Sequence, residues 1–247
     1  MFQIASGAIQ GARDNQEDCM EIRPAPGGMA GLAIVADGMG GHAGGEIASA
    51  LAVAGFAEHF ENYTRGPLPK RLEIALAMAN QALAHRVRED VELDGMGTTL
   101  LAVHYGPEGL HWVSVGDSPL LLVRNGEARW LNEDHSMAPL IERQVAAGKL
   151  TREQADRHPE RNSLLSVLTG LNTPDMIDCP AQPLVLQDGD RVIAASDGLL
   201  TLSLSDIAAR VLAADSASEA VALLLDGVAM RGLPFQDNAS VQIIMVG

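Results

Sequence analysis

Short segments of apolar residues, alternating or continuous, recur along the first part and the middle of the chain, and they predict β-strands. The first three segments are FQIASGAI, CMEIRP and GLAIVAD, separated by Gly and Pro residues. Four more follow as TTLLAVHYG, LHWVSVGD, PLLLVRNG and EARWL. Asn125 and Gly126 predict a hairpin, because a type I′ turn needs a positive φ at both central residues. Strands joined by turns this short are antiparallel.

Helical spacing begins at Gly44 and returns near the C-terminus. One helical face is predicted by apolar residues three or four positions apart: Leu72, Leu76, Ala79, Leu83 and Val87. Residues 135–170 are polar and predict irregular, partly helical structure. The segments SLSDIAARVLA and SASEAVALLLDGVAM predict helices with serine N-caps. PLVLQDGDRVIAAS predicts two strands around a tight turn, and NASVQIIMV predicts a last strand. Meandering strands with helices in pairs favour an α+β layered domain.

Composition narrows the function classes. The 247 residues show no linker or repeat, which predicts one domain over residues 1–247. The net charge of −15 argues against a nucleic-acid partner, because phosphate backbones require Lys and Arg. No signal peptide or long apolar run is present, so no membrane insertion is expected. Cys19 and Cys179 match no metal or redox motif, and we expect reduced thiols in a cytoplasmic protein.

Acidic residues mark the ends of the predicted strands. Three follow an apolar run and three precede one: Asp37, Asp117 and Asp197, then Glu17, Asp18 and Asp237. A single Asp at a strand end is explained by the turn that its side chain favours. Six acidic residues at such positions instead indicate that they act together at one site. Carboxylates that converge repel one another unless a cation offsets their charge. Oxygen ligands without Cys and with little His favour Mg²⁺ or Mn²⁺.

The glycine-rich segment VADGMGGHAGGEIAS, residues 35–49, joins a predicted buried strand to a predicted helix. Residues 38–43 fit the dinucleotide-binding pattern. Asp37 would face the pyrophosphate, however, and the β-α-β frame is missing. No Gly-Lys-Ser/Thr follows, so the segment is not a P-loop. The glycines better suit a backbone that wraps closely under an ion and leaves a carbonyl free as a ligand.

Eight segments, in this order, resemble the metal-dependent protein serine/threonine phosphatases of the protein phosphatase 2C type, in their compact bacterial form. They are RDNQED, VADGMGGHAGGE, GMGTTL, VGDSPLLLVRNGE, LNEDHSM, HPERNSLLSVLTG, IAASDGLLTLS and DNASVQIIMV, and together they cover nearly the whole chain. The resemblance implies a four-layer αββα sandwich, with two antiparallel sheets flanked by pairs of helices. It also implies a signalling hydrolase that removes phosphate from phosphoserine and phosphothreonine in proteins and so reverses a bacterial Ser/Thr kinase.

The resemblance further implies two Mn²⁺ or Mg²⁺ ions and a third, weaker metal site. The implied metal ligands are Glu17 (directly or through water), Asp37, the Gly38 carbonyl, Asp117, Asp197 and Asp237. In this scheme Asp37 bridges the two metals, and Asp117 holds the third together with Asp197. A hydroxide that bridges the metals attacks phosphorus directly.

Four further residues take implied roles beside the ligands. Arg13 matches the arginine that grips the phosphate, since a guanidinium binds two phosphate oxygens at once. Asp18 orients metal-bound water. Asn238 is a candidate for a side chain that supports the ligands, and His42 is either a turn residue or a donor near the metal-bound waters that supports them.

The chain departs from the family pattern in places. Met39 stands where some members carry a histidine proposed as general acid, so that role is unassigned. Pro119 stands where the family usually has Arg, which leaves the role of that position open, and Gln16 replaces the usual Asn. Residues 136–166 correspond to the family's flap, a mobile element beside the active site, and we expect the flap to set substrate choice.

Three alternatives remain open from sequence. The first is a phosphatase dedicated to one partner in a stress or sporulation switch. The second is a catalytically silent binding module that keeps the fold, although such a protein should have lost ligands such as Asp37 and Asp197. The third is a purely structural cation site, which leaves Arg13 unexplained.

Overall fold

The computed structural model describes residues 1–40 and 44–247. Its ten strands are β1 (Phe2–Ile9), β2 (Asp18–Pro24), β3 (Gly31–Met39), β4 (Gly97–Thr98), β5 (Leu100–Gly106), β6 (Gly109–Val115), β7 (Leu120–Arg124), β8 (Glu127–Trp130), β9 (Arg191–Ala195) and β10 (Ala239–Val246). The six α-helices of the described residues are α1 (Gly44–Asn62), α2 (Leu68–Glu89), α3 (Ala138–Ala146), α4 (Arg152–Asp156), α5 (Leu204–Leu212) and α6 (Ala217–Met230). Short 3₁₀ turns span Val91–Leu93 and Asp197–Thr201.

The strands form two antiparallel sheets. The first has the order β1-β10-β9-β7-β8, so the N-terminal strand pairs with the C-terminal one. The second has the order β2-β3-β5-β6, and β4 pairs with the end of β3. The N-terminal and central segments predicted as strands are confirmed, and so is their antiparallel pairing.

Three apolar clusters divide the molecule into four layers. Val35, Leu101, Leu122 and their neighbours fill the space between the two sheets. A second cluster packs α1 and α2 against the outer face of the second sheet. A third packs α5 and α6 against the first sheet. The expected four-layer αββα sandwich of the α+β class is therefore confirmed. No helix of the described residues is long and apolar enough to cross a membrane.

Local sequence signals act where they were expected. Asn125 and Gly126 have φ values of 54° and 89° and join β7 to β8. Ser203 and Ser216 cap α5 and α6 by accepting backbone N–H bonds. In the flap, the Thr151 hydroxyl and the Gln154 side chain form a capping box at the start of α4.

One expectation is wrong. PLVLQDGDRVIAAS forms one strand, β9, because only Leu184 of its first half pairs, with Leu110. Pro183 lacks the N–H that a continuing ladder requires. The turn before β9 is organised by a buried side chain, as Arg124 Nη2 and Nε lie 2.6 and 2.7 Å from the Asp190 carboxylate.

Candidate active site

The strand ends of both sheets bring the acidic residues to one end of the sandwich. Asp18 opens β2 and is in register with Asp37, near the end of β3. Asp117 follows β6, Asp197 follows β9, and Asp237 precedes β10. A pocket of about 260 Å³ is lined by eight of the ten residues given roles from sequence: Arg13, Glu17, Asp37, Gly38, Asp117, Asp197, Asp237 and Asn238. Asp18 lies behind the pocket and is 9% exposed.

The backbone of Asp37 is fixed by a pair of threonines. Its N–H donates to Thr99 Oγ1 at 2.9 Å, and its carbonyl accepts from Thr98 Oγ1 and from the Thr99 N–H, each at 2.9 Å. Thr99 Oγ1 lies 2.8 Å from Ser118 Oγ, next to Asp117. The Asp37 backbone is therefore linked to Ser118, the neighbour of Asp117, through two buried hydroxyl groups.

Glycine is required where β3 meets the start of α1. The Gly38 N–H donates to the Glu17 carbonyl at 3.1 Å. A Cβ at Gly38 would collide with the Gly45 carbonyl and lie 2.6 Å from the Glu17 oxygen. A Cβ at Gly45 would lie 2.7 Å from Glu17 Oε1. The Glu17 side chain therefore lies directly against glycine backbone, at a place where no larger residue would fit.

Asp18 is positioned across the two sheets. Ser196 Oγ donates to Asp18 Oδ2 at 2.6 Å and accepts from the Ser240 N–H at 2.9 Å. Ser196 is fully buried and directly precedes Asp197. Gln16 Oε1 accepts from the Asp18 N–H at 3.0 Å, so the Gln that replaces the usual Asn orients the start of β2.

Asn238 ties the loop before β2 to the start of β10. Its Oδ1 accepts from the Glu17 N–H at 2.8 Å, and its Nδ2 donates to the carbonyls of Gln10 and Asn15 at 2.7 and 3.0 Å. Next to it, Arg13 Nη2 bonds to Asp237 Oδ2 at 2.6 Å. Asn238 thus fixes Glu17 and the loop that carries Arg13.

The electrostatics of the site are those of crowded carboxylates. Burial and the charges of Asp18 and Asp197 raise the pKa of Asp37 well above its ordinary value. Burial and nearby Asp charges raise the pKa of Asp18 to about 6, against the opposing bond from Ser196. Burial and the Asp197 charge raise the pKa of Asp117 to about 7. A nearby cation would offset both the burial and the repulsion, because it stabilises the ionised carboxylates.

The donor set fits hard divalent cations. The acidic side chains at the pocket offer oxygen ligands only, and Asp18 Oδ1 and Asp197 Oδ1 are buried without a hydrogen-bond partner. Across the described residues, no three His, Cys, Asp or Glu side chains already stand as a formed ligand cluster. Arg13 draws the Asp237 carboxylate towards itself, and Ser196 draws that of Asp18. The carboxylate oxygens are nevertheless gathered at one pocket.

A family model described as Protein phosphatase 2C matches residues 14–208. The chain belongs to the protein phosphatase 2C family. It is 36% identical over 168 residues to the serine/threonine protein phosphatase PstP of Mycobacterium tuberculosis, covering 68% of this chain. The chain spans about a third (31%) of the length of this relative.

Solved structures of the protein phosphatase 2C family share the fold. The M. tuberculosis phosphatase PstP/Ppp superposes with a TM-score of 0.81 at 32% identity, covering 99% of this chain and 98% of that one. The catalytic domain of PstP in complex with two manganese ions gives a TM-score of 0.79 at 30% identity, covering 100% and 99%.

The structure shows what surrounds two of the residues that depart from the protein phosphatase 2C pattern. Met39 lines the acidic pocket and is 41% exposed, and it brings no titratable group to that place. Pro119 is buried, and its carbonyl accepts from the Ala195 N–H at 3.1 Å, so it contributes to the junction of β7 and β9. His42 lies outside the described residues.

Sequence reasoning missed the hydroxyl groups that hold the acids. Thr98, Thr99 and Ser196 lie inside segments that carry the family resemblance. Thr98 follows Gly97 and Ser196 precedes Asp197, whereas Thr99 adjoins neither an acid nor a glycine. Asp134 was also missed, and its charge helps to raise the pKa of Asp117 after burial and Asp197. A short polar residue next to a strand-end Asp was the available signal.

Proposed function

We propose that this chain is a metal-dependent protein phosphatase that hydrolyses phosphoserine and phosphothreonine in proteins. The observation that carries the proposal is the convergence of buried carboxylates and one arginine on a single pocket. The manganese-containing structure of a relative at 30% identity supports the choice of Mn²⁺ or Mg²⁺.

The pocket supplies the groups that this reaction needs. Glu17, Asp37, Asp197, Asp237 and the Gly38 carbonyl would hold two cations, and Asp117 with Asp197 would hold a third. Bound divalent cations lower the pKa of coordinated water and offset negative charge on phosphoryl oxygens. Neither cysteine lines the pocket, so neither is a candidate for a covalent nucleophile there.

In this proposal Arg13 binds the phosphate and Asp18 orients the attacking water. Arg13 is half-exposed at the pocket mouth and keeps donors beyond its bond to Asp237 for the phosphate oxygens. Asp18, held by Ser196, presents its unpartnered Oδ1 as an acceptor that orients the attacking water.

Phosphate release from a phosphothreonine peptide tests the proposal. We expect release by the wild type with Mn²⁺, loss of release with a chelator, and a fall of at least about a hundredfold in Asp197→Asn. Asp226→Asn, an exposed Asp on α6, is the matched control and should behave as wild type. No release by folded protein at any Mn²⁺ concentration would refute a phosphatase and favour a silent binding module.

We propose further that the flap, residues 136–166, influences substrate choice. A cleft of about 660 Å³ adjoins the acidic pocket, and several flap residues line it, among them Pro139, Glu142 and Asn162. The flap ends are held together, since the Met137 N–H donates to the Ser163 carbonyl at 2.9 Å. Exchanging the flap with that of a relative should change peptide preference, and an unchanged preference would contradict this role.

The wider setting is also a proposal. A single catalytic domain over residues 1–247 agrees with the continuous pairing of β1 with β10. Both cysteines are free, which supports a reducing compartment such as the cytoplasm. The physiological substrates would be phosphoproteins, as the names of the relatives suggest. A cognate Ser/Thr kinase that makes these phosphoproteins is part of the same proposal.

A further inference from the structure

The cleft beside the acidic pocket has an apolar side that the phosphatase chemistry does not use. The cleft and the pocket share Asp117, Asn162, Asp197 and Asp237, so the two are continuous. Leu200, Leu233 and Phe235 line the cleft and not the pocket. We name these three residues the apolar shelf.

Phe235 is unusual for this chain. Its exposed fraction is 91%, whereas Phe56 and Phe60 are buried and Phe2 is half-buried. Leu233 and Leu200 are 49% and 38% exposed. Large apolar side chains grouped at the mouth of a polar cleft are typical of a contact surface.

The shelf is held rigidly. Gln236, next to Phe235, is 6% exposed, and its Oε1 accepts from Thr201 Oγ1 at 2.8 Å. Its Nε2 donates to the Gly198 carbonyl at 3.3 Å, and its own carbonyl accepts from the Ala12 N–H at 2.8 Å. The backbone is therefore fixed where the Phe235 ring projects into solvent, and a partner meets a preformed surface.

The distance from the reaction centre fits a neighbouring residue of the substrate. Phe235 and Asp237 are two positions apart, so their Cα atoms lie within about 7 Å. An extended substrate peptide advances by the same amount per residue. A side chain one or two positions from the phosphorylated residue reaches the shelf while the phosphate lies at Arg13.

We propose that the apolar shelf is a substrate subsite that takes a large apolar side chain within two residues of the phosphoserine or phosphothreonine. This inference rests on the proposed phosphatase function. Continuity with the acidic pocket selects a peptide as the occupant. An anionic membrane is disfavoured by the net charge of −15 and by Asp134 and Glu142 in the same cleft.

Two phosphothreonine peptides that differ only in a flanking Leu or Ser test the subsite. With Mn²⁺, we expect the wild type to show a kcat/KM about fivefold higher for the Leu peptide, mainly through KM, because a half-open shelf buries part of the side chain. In Phe235→Ser the ratio should fall to about one. Leu171→Ser, which changes an exposed Leu outside the cleft, is the matched control and should keep the wild-type ratio.

The outcomes separate the two proposals. Equal kcat/KM for both peptides in the wild type, or a preference that persists in Phe235→Ser, overturns the subsite and leaves the phosphatase intact. No release from either peptide by folded wild type overturns the phosphatase and the subsite together. A ratio that also falls in Leu171→Ser overturns the assignment of the preference to the shelf.

Discussion

Arg13 and Asp237 form an ion pair at the mouth of the acidic pocket, with Arg13 Nη2 2.6 Å from Asp237 Oδ2. The two side chains are 51% and 36% exposed, so the pair contributes little to folding. Its consequence is positional, since it places a guanidinium beside the buried carboxylates Asp37 and Asp197. One face of the arginine is fixed and the remaining donors are free for an anion.

Arg13→Lys should separate activity from stability. Lysine keeps the charge but loses the planar fork of donors, so we expect kcat/KM for a phosphothreonine peptide to fall roughly a hundredfold. The free energy of unfolding should change by less than about 1 kcal/mol. Arg231→Lys, which alters an equally exposed pair with Asp206, should change neither quantity. A large loss of stability in Arg13→Lys would contradict the positional role.

Ser196→Ala tests the support of Asp18. The change removes the 2.6 Å bond to Asp18 Oδ2 in a fully buried place, so a buried carboxyl loses its partner. We expect a loss of about 1–3 kcal/mol in denaturant unfolding at pH 7.5 and a lower kcat. Ser49→Ala on α1 is a control, because among the described residues its hydroxyl bonds to a helix carbonyl, that of Glu46. Equal losses in the two variants would show that Asp18 does not depend on Ser196.

The sequence predicted the acids of the site better than their support. Asp37 and Asp197 were found because each ends an apolar run, a pattern that strand periodicity makes visible. Thr99 and Ser196 carry no charge and do not disturb the apolar pattern of the adjoining strands, so strand periodicity gives no signal for them. Their hydrogen-bond partners are determined by the pairing of strands that are distant in sequence. The second strand wrongly predicted before β9 has the same origin, because the Arg124–Asp190 ion pair joins positions 66 apart.

Gly38→Ala tests the close approach of backbone and carboxylate. The new Cβ would collide with the Gly45 carbonyl and lie 2.6 Å from the Glu17 oxygen, and these backbone atoms cannot move without shifting α1 or the start of β2. We expect a loss on the order of 3 kcal/mol in unfolding free energy together with loss of phosphate release. Gly106→Ala, whose Cβ would lie 3.3 Å from the nearest atom, should cost far less. Comparable unfolding curves for the two variants would contradict this account.

We predict that acid destabilises the protein in part through His104, which lies outside the acidic pocket. It lies opposite His111 across β5 and β6, and burial, with the neighbouring charges of His111 and Arg71, lowers its pKa to about 4. In the unfolded chain His104 therefore binds a proton near pH 6.5, whereas in the folded chain it stays neutral down to about pH 4. The free energy of unfolding falls as the pH drops from about 6.5 towards 4.

The contribution of His104 to the free energy of unfolding should change by about 2 kcal/mol between pH 7 and pH 5. In His104→Gln, denaturant unfolding at the two pH values should lose that part of the difference, because the buried group no longer titrates. His85→Gln removes an exposed histidine of α2 and should keep the wild-type pH dependence. The comparison between variants cancels the carboxylates of the acidic pocket, which titrate in all three proteins. An identical pH dependence in His104→Gln and wild type would place the acid sensitivity elsewhere.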